Sequence, residues 1–301
     1  MSKNSIIHMI DPMANVSPFD INMAVDAGYD VVIPYAKVEL WQVNGLLQDA
    51  IFSREPEGVK KTAVFIGGRD ISLAKKMMEA AKQAMVPPFE ISVLADPSGA
   101  FTTAAALVAC VEKELKDKHG MELKGCRGII FGGTGPVGIA TGVIASLAGA
   151  DITLVDHQSI DNAQSIADEY NASCGSTMSG TIAASDADKA YLLRNTDIVF
   201  CTAKAGVEIL NDNVLGDTTS LKVAGDVNAV PPLGIRGLDL TDSGAPLTHA
   251  GSSKGAVGIG ALTIGRLKYH TQQALLKLML ETDKPVYVDF REAFNVARNL
   301  V

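Results

Sequence analysis

The sequence predicts a two-domain α/β protein with mainly parallel sheets, on three observations. The chain has 301 residues, about twice the usual domain size. Short β-branched runs alternate with amphipathic or Ala-rich stretches over nearly its whole length. The runs are continuously apolar, which marks strands covered on both faces, as in a doubly wound sheet.

Strands are expected at residues 5–9, 30–33, 62–66, 91–94, 128–131, 151–155, 197–201 and 222–224. Helical patterns lie between them, over 71–84, 102–118, 137–147 and 159–170. The run from residue 91 ends in the turn Asp96-Pro97-Ser98-Gly99, after which Thr102 or Thr103 is placed to cap a long helix with its hydroxyl. That helix carries the chain into a second domain opening near Gly128. A helix over 258–281 returns to the first domain, where 286–290 and 291–300 are expected to pack. The expected division is 1–106 with 270–301 against 107–269, with a cleft between the two.

Composition narrows the function. Thirty-four acidic residues against 26 basic ones give a net charge of −8, and no Lys/Arg run offers the basic stripe that nucleic acid requires. Residues 1–12 hold a broken apolar run and an Asp, so no signal peptide is expected. The longest apolar stretch, 142–155, is too short to span a membrane and contains Asp151. Cys110, Cys126, Cys174 and Cys201 are scattered; free thiols in a reducing, cytoplasmic setting are the expectation. His8, His119, His157, His249 and His270 lack metal-ligand spacing, so no metal is expected. Charged residues are only 20% of the chain, which points to surface covered by subunit association.

The chemistry is concentrated at Gly133-Thr134-Gly135-Pro136-Val137-Gly138, where an apolar strand runs through a glycine turn into a helix. The spacing is the Rossmann dinucleotide pattern. Gly133 is assigned the tight turn, Gly135 the close approach of a pyrophosphate, and Gly138 the packing of helix on strand. The pyrophosphate would lie at the helix start, where free N–H groups and the helix dipole favour an anion, and Pro136 loses nothing in the first turn. A chain with 28 glycines also meets this pattern as a plain structural turn. The next strand ends at Asp156, 23 positions after Gly133, where an acid accepts from the adenine ribose 2′-OH. A carboxylate there repels a 2′-phosphate and no Lys or Arg follows closely, which favours NAD with NADP tolerated. A protonated His157 would soften the repulsion. The alternative for Asp156 is a solvated strand end.

Two later strands end at Cys201-Thr202-Ala203-Lys204-Ala205-Gly206 and Gly225-Asp226-Val227-Asn228-Ala229-Val230-Pro231-Pro232. The small Ala203 suits passage of a nicotinamide ribose, and the Asn228 amide suits the carboxamide. Ordinary turn geometry accounts for either residue equally well.

With Ser17-Pro-Phe-Asp-Ile-Asn22, Asp96-Pro-Ser-Gly-Ala-Phe-Thr-Thr103, the Gly133 turn, Asp226-Val-Asn-Ala-Val-Pro-Pro232 and Gly258-Ile-Gly-Ala-Leu-Thr-Ile-Gly-Arg-Leu-Lys268 together, the chain resembles the methylotroph methylene-tetrahydropterin dehydrogenases. The Ser17 and Asp96 stretches and Asp289-Phe290-Arg291 look closer to the tetrahydromethanopterin-using branch than to the tetrahydrofolate-using one. The resemblance implies a homo-oligomer that oxidises a reduced methylene-pterin to its methenyl cation, passing hydride to NAD(P)⁺. It implies pterin contacts at Asp20, Asp96, Thr102 and Thr103 and a functional lysine at Lys268. The folate branch carries basic residues where Asp156-His157 stands here, so strict NADP use is not expected.

Hydride loss from a carbon between two nitrogens needs no general base, so positioning carries the catalysis. The absence of a His–Asp or Ser–His pair fits that chemistry and fits a non-catalytic NAD(P)-sensing regulator equally. Lys268 suits a fixed donor to a pterin carbonyl; a solvated helix lysine is the alternative. Asp20, Thr102 and Ser17 also suit helix caps. Shikimate- and glutamyl-tRNA-type reductases share the two-domain plan. A folate cyclohydrolase site is disfavoured, because no Tyr is followed by Lys four positions on.

Overall fold

The computed structural model describes residues 4–301. The chain divides into two compact units, residues 1–102 with 269–296 and residues 103–268 with 297–301. Both divisions near residues 102 and 268 fall inside long helices, Ala100–His119 and Ala261–Glu281.

The first unit holds β1 (Ile6–Ile10), β2 (Val31–Tyr35), β3 (Thr62–Ile66), β4 (Ser92–Ala95) and β12 (Tyr287–Val288), all parallel, in the order β12-β4-β3-β1-β2. β3 is buried along its whole length, as its unbroken run Thr-Ala-Val-Phe-Ile requires of a central strand covered on both faces. Pro34 sits in β2, at the sheet edge, where a residue without an N–H is tolerated. The order reverses between β1 and β3, and ligands in open parallel sheets bind beyond the strand ends at such a point.

The second unit has seven strands: β5 (Arg127–Phe131), β6 (Asp151–Asp156), β7 (Ser179–Ile182), β8 (Ile198–Cys201), β9 (Val223–Asp226), β10 (Ser243–Pro246) and β11 (Val257–Ile259). Their order is β10-β11-β9-β8-β5-β6-β7, with only β10 antiparallel. The order reverses between β5 and β8, the Rossmann arrangement. Ile129, Phe131, Val199, Leu210 and Leu215 are among its core residues.

Four strands escaped the sequence reading. β7 is Ser-Gly-Thr-Ile on an edge, half exposed, so no apolar run marks it. β11 lies at the start of the helix expected over 258–281. Pairing with β9 draws Val257, Gly258 and Ile259 into the sheet, and the helix begins at Ala261. β10 and β12 are short edge strands defined by their partners, β11 and β4. Of residues 291–300, expected to pack on the first unit, 291–296 group with it. β12 pairs with β4, and the Phe290 ring meets Phe101 edge-on at 5.5 Å. Arg298 instead makes two 2.6 Å bonds to Glu112, and residues 297–301 group with the second unit.

Among the described residues no helix is long and apolar enough to cross a membrane, and no cluster of three His, Cys, Asp or Glu side chains is arranged for a metal ion. All four cysteines are buried thiols outside any disulfide. Phe65 is 1% exposed in the central strand of its sheet; Phe65→Ala is expected to lower unfolding free energy by about 3–5 kcal/mol in urea titrations.

Candidate functional site

Along the carboxyl ends of β6, β5, β8 and β9 stand, in that order, Asp156, the glycine turn, Thr202–Ala203 and Asp226–Asn228. The structure thus gathers the predicted dinucleotide residues on one edge of the second unit. The tight turn is taken by Gly132, with φ +74°, not by Gly133 as the spacing predicted. A Cβ on Gly132 would lie 2.6 Å from the backbone of Ala203. At Gly133 it would lie 2.9 Å from the backbone of Leu154 and Val155, so Gly133 allows the turn to press against β6. At Gly138 it would meet Gly132, Gly133 and Thr202, so the helix packs on the turn and on the segment after β8, where packing on the strand was expected. Gly135 differs: nothing lies nearer than 3.5 Å to its would-be Cβ. Its open side and the helix start at Pro136, which has no side-chain cap, leave backbone N–H groups for an anion. Thr134 and Val137 belong to the same turn and helix start. These residues fit the pyrophosphate of a dinucleotide.

Asp156 ends β6 and is 7% exposed. One carboxylate oxygen accepts from Gln158 N at 2.9 Å and the other from Asn162 Nδ2 at 2.6 Å. Burial raises the pKa of the group, but the bonds from Asn162, Gln158 and His157 outweigh it and hold Asp156 below the usual carboxylate range. It is therefore ionised at neutral pH. The exposed His157 ring stands 3.6 Å away. Asn162, on the helix Ile160–Cys174, was missed by sequence reading; its place in the first turn after an Asp-ended strand was the available signal.

Thr202 Oγ1 donates to Phe131 O at 3.0 Å and is 3.2 Å from Gly132 O, which fastens the half-buried Ala203 to the glycine turn. The Asn228 amide is committed to its own loop and to the segment after β8. Its Oδ1 accepts from Gly206 N at 3.1 Å and Val230 N at 2.8 Å, and its Nδ2 donates to Pro232 O at 2.9 Å.

In the first unit, Asp96 follows β4 and is fully buried. It accepts from Phe101 N at 2.9 Å, from Thr102 N at 3.1 Å and from Thr102 Oγ1 at 2.6 Å. Because the helix begins at Ala100, Thr102 lies within its first turn, so Asp96 caps the helix and Thr102 secures the cap. This corrects the cap expected from Thr102 or Thr103. Thr103 is half buried on the same helix. Ser17 likewise occupies an N-cap position without a side-chain bond, while Asp20, 6% exposed, accepts from Gln272 Nε2 at 2.7 Å. Lys268 is half buried in the helix Ala261–Glu281, two turns from its start.

Asp11 was not foreseen. It follows β1, beside the β1/β3 reversal, is 5% exposed, and accepts from Met13 N at 2.7 Å and Gly68 N at 3.2 Å. Its position directly after an apolar strand matches that of Asp96 and was the usable signal. Lys37 (φ 57°) and Ser98 (φ 54°) hold left-handed backbone just past β2 and β4, the kind of conformation that concentrates at functional sites. Ser98 Oγ also donates to Gly68 O at 3.1 Å, tying the end of β4 to that of β3.

A family model described as methylene-tetrahydromethanopterin dehydrogenase, N-terminal, matches residues 18–98. The NAD(P)-dependent methylenetetrahydromethanopterin dehydrogenase of Methylorubrum extorquens is 43% identical over 293 residues, covering 97% of each chain. The chain belongs to the methylene-tetrahydromethanopterin dehydrogenase family. Another relative of this family member is the bifunctional protein MdtA of the same organism, 31% identical over 300 residues with 100% of both chains covered. Shikimate 5-dehydrogenase from Listeria monocytogenes shares the fold with it at 15% identity and a TM-score of 0.52, over 99% of this chain and 96% of that one.

The Asp96–Thr102 bond joins two fully buried groups. Thr102→Val, which removes the donor but keeps the shape, is expected to cost about 1–3 kcal/mol of stability. Thr102→Ser is expected to keep most of it, with both read from denaturant midpoints.

Proposed function

We propose that this dehydrogenase oxidises methylene-tetrahydromethanopterin to methenyl-tetrahydromethanopterin by direct hydride transfer to NAD(P)⁺, in the one-carbon metabolism that oxidises formaldehyde. The observation that carries the proposal is the glycine turn, with its uncapped helix start and the ionised Asp156, in a chain 43% identical to a relative bearing that activity in its name. Four separated, buried thiols and the acidic balance support a cytoplasmic setting. The low charged fraction, together with Trp41 74% exposed, supports a homo-oligomer.

On this reading residues 133–138 hold the pyrophosphate, Asp156 the adenosine ribose, and Ala203 with the Asn228 loop the nicotinamide end. Bound NAD(P)⁺ supplies the hydride acceptor. Asp20, Asp96, Thr102 and Thr103 form the pterin side, with Asp96 and Thr102 as its frame and Asp11 as a further acceptor for pterin N–H groups. Lys268 donates to a pterin carbonyl and orients the ring. As a cation it does not stabilise the cation being formed, so its contribution is position. The two pterin nitrogens flanking the reacting carbon take up the charge as the C–H electron pair leaves with the hydride. No proton leaves that carbon, so no residue is required as a base.

Absorbance at the methenyl and reduced-nicotinamide bands tests this directly, with methylene-tetrahydromethanopterin or methylene-tetrahydrofolate, each with NAD⁺ and NADP⁺. Turnover with the methanopterin substrate is expected. Comparable folate turnover would move the substrate assignment to the other branch, and silence in all four mixtures would sink the enzyme reading. Asp156 also decides the cofactor ratio. Asp156→Ser is expected to raise kcat/KM for NADP⁺ relative to NAD⁺ by about tenfold or more, ~1.4 kcal/mol. Asn162→Ala, which only unties the carboxylate, shifts it the same way by less.

A further inference from the structure

Asp226 is the last residue of β9, 1% exposed, and none of the roles assigned above uses it. Resting on the reading that NAD(P) binds this unit, we propose that Asp226 is the positioning residue for the nicotinamide end of the dinucleotide: it holds the loop carrying Asn228, which joins the segments after β8 and β9 into one body.

A carboxylate this deeply buried is costly unless donors surround it. Here Asn228 N lies at 2.9 Å from one oxygen and Gly234 N at 2.7 Å from the other. The Ile235 N–H and the Cys201 thiol also donate to it. Burial nonetheless leaves its pKa raised, as expected where four donors only partly replace water. At 1% exposure the group is turned inward and acts on chemistry through what it holds.

What it holds is specific. Gly234 passes so close that a Cβ there would stand 2.6 Å from Cys201 Sγ and 2.9 Å from Asp226 Oδ1; the loop folds back onto the carboxylate with no room for a side chain. Inside that loop Asn228 bonds Gly206 N, Val230 N and Pro232 O. The Gly206 bond reaches into the segment after β8, which Thr202 Oγ1 fastens to Phe131 and Gly132 in the glycine turn. A continuous set of bonds therefore runs from the turn assigned to the pyrophosphate to the loop assigned to the nicotinamide. Hydride transfer is sensitive to donor–acceptor alignment, so loosening this loop should reduce rate and nicotinamide-dependent affinity while sparing the adenosine half.

The test uses the full chain and two variants that leave every assigned ligand contact in place, Asp226→Asn and Gly234→Ala. Each is titrated with ADP-ribose, which lacks the nicotinamide, and with NADH, and its kcat and pterin KM are measured. The expected result is ADP-ribose affinity within about twofold of the parent, NADH affinity weakened about tenfold (~1.4 kcal/mol), kcat lowered at least as much, and pterin KM unchanged. If Asp226→Asn does not fold, Gly234→Ala, which keeps the carboxylate and displaces only the loop, decides the matter. Equal losses for ADP-ribose and NADH would overturn the proposal and make Asp226 a plain support of the domain. Unchanged NADH affinity and kcat would overturn it too. A parent protein binding neither nucleotide would overturn the dinucleotide reading, and this inference with it.

Discussion

In the second unit the backbone of residues 132–138 passes closer to β6 and to the segment after β8 than side chains allow, since a Cβ on Gly132, Gly133 or Gly138 would overlap its neighbours. That contact sets the position of the helix Pro136–Leu147 against the sheet. It also sets where the uncapped helix start points relative to Asp156 on one side and Ala203 on the other. Of the turn's glycines only Gly135 has room for a Cβ, with its nearest neighbour at 3.5 Å, so the turn is tight toward the protein at its other glycines.

A second regularity links the two units. β1, β4, β6 and β9 each end in, or are followed at once by, an aspartate: Asp11, Asp96, Asp156 and Asp226. Each carboxylate is less than a tenth exposed, and each accepts from backbone N–H groups of the turn that follows its own strand. A buried carboxylate bonded to the backbone of its own turn fixes that turn rigidly. The candidate ligand residues therefore sit on strand ends whose loops are tied down from within.

Much of this was legible in the sequence because the central strands of parallel sheets are continuous apolar runs. β3 was placed to the residue, and β5, β6 and β8 within one residue at either end. The strands that escaped owe their conformation to a partner rather than to their own pattern, as Ser179–Ile182 and Val257–Ile259 do. In the site, the glycine spacing located the turn but misassigned its left-handed residue by one position, because G-x-G-x-x-G does not distinguish a preceding Gly132. Asp96 and Thr102 were picked out individually, while their bond to each other was not, since helix starts at Ala100 and at Thr102 look alike in sequence. Asp11, Asn162 and Asp226 act through hydrogen bonds that no spacing rule encodes.

The first unit is interrupted in sequence by residues 103–268 of the second, and its edge strand β12 is supplied from residues 287–288. During synthesis β4 therefore emerges long before the strand that covers its edge. Until then it presents the row of unpaired N–H and C=O groups through which chains pair with one another. The second unit has all of its strands by residue 259 and is complete in its sheet while the first is still open. Vectorial folding thus runs from the inside of the sequence outward, and newly made, incomplete chains are most exposed to mispairing at Ser92–Ala95.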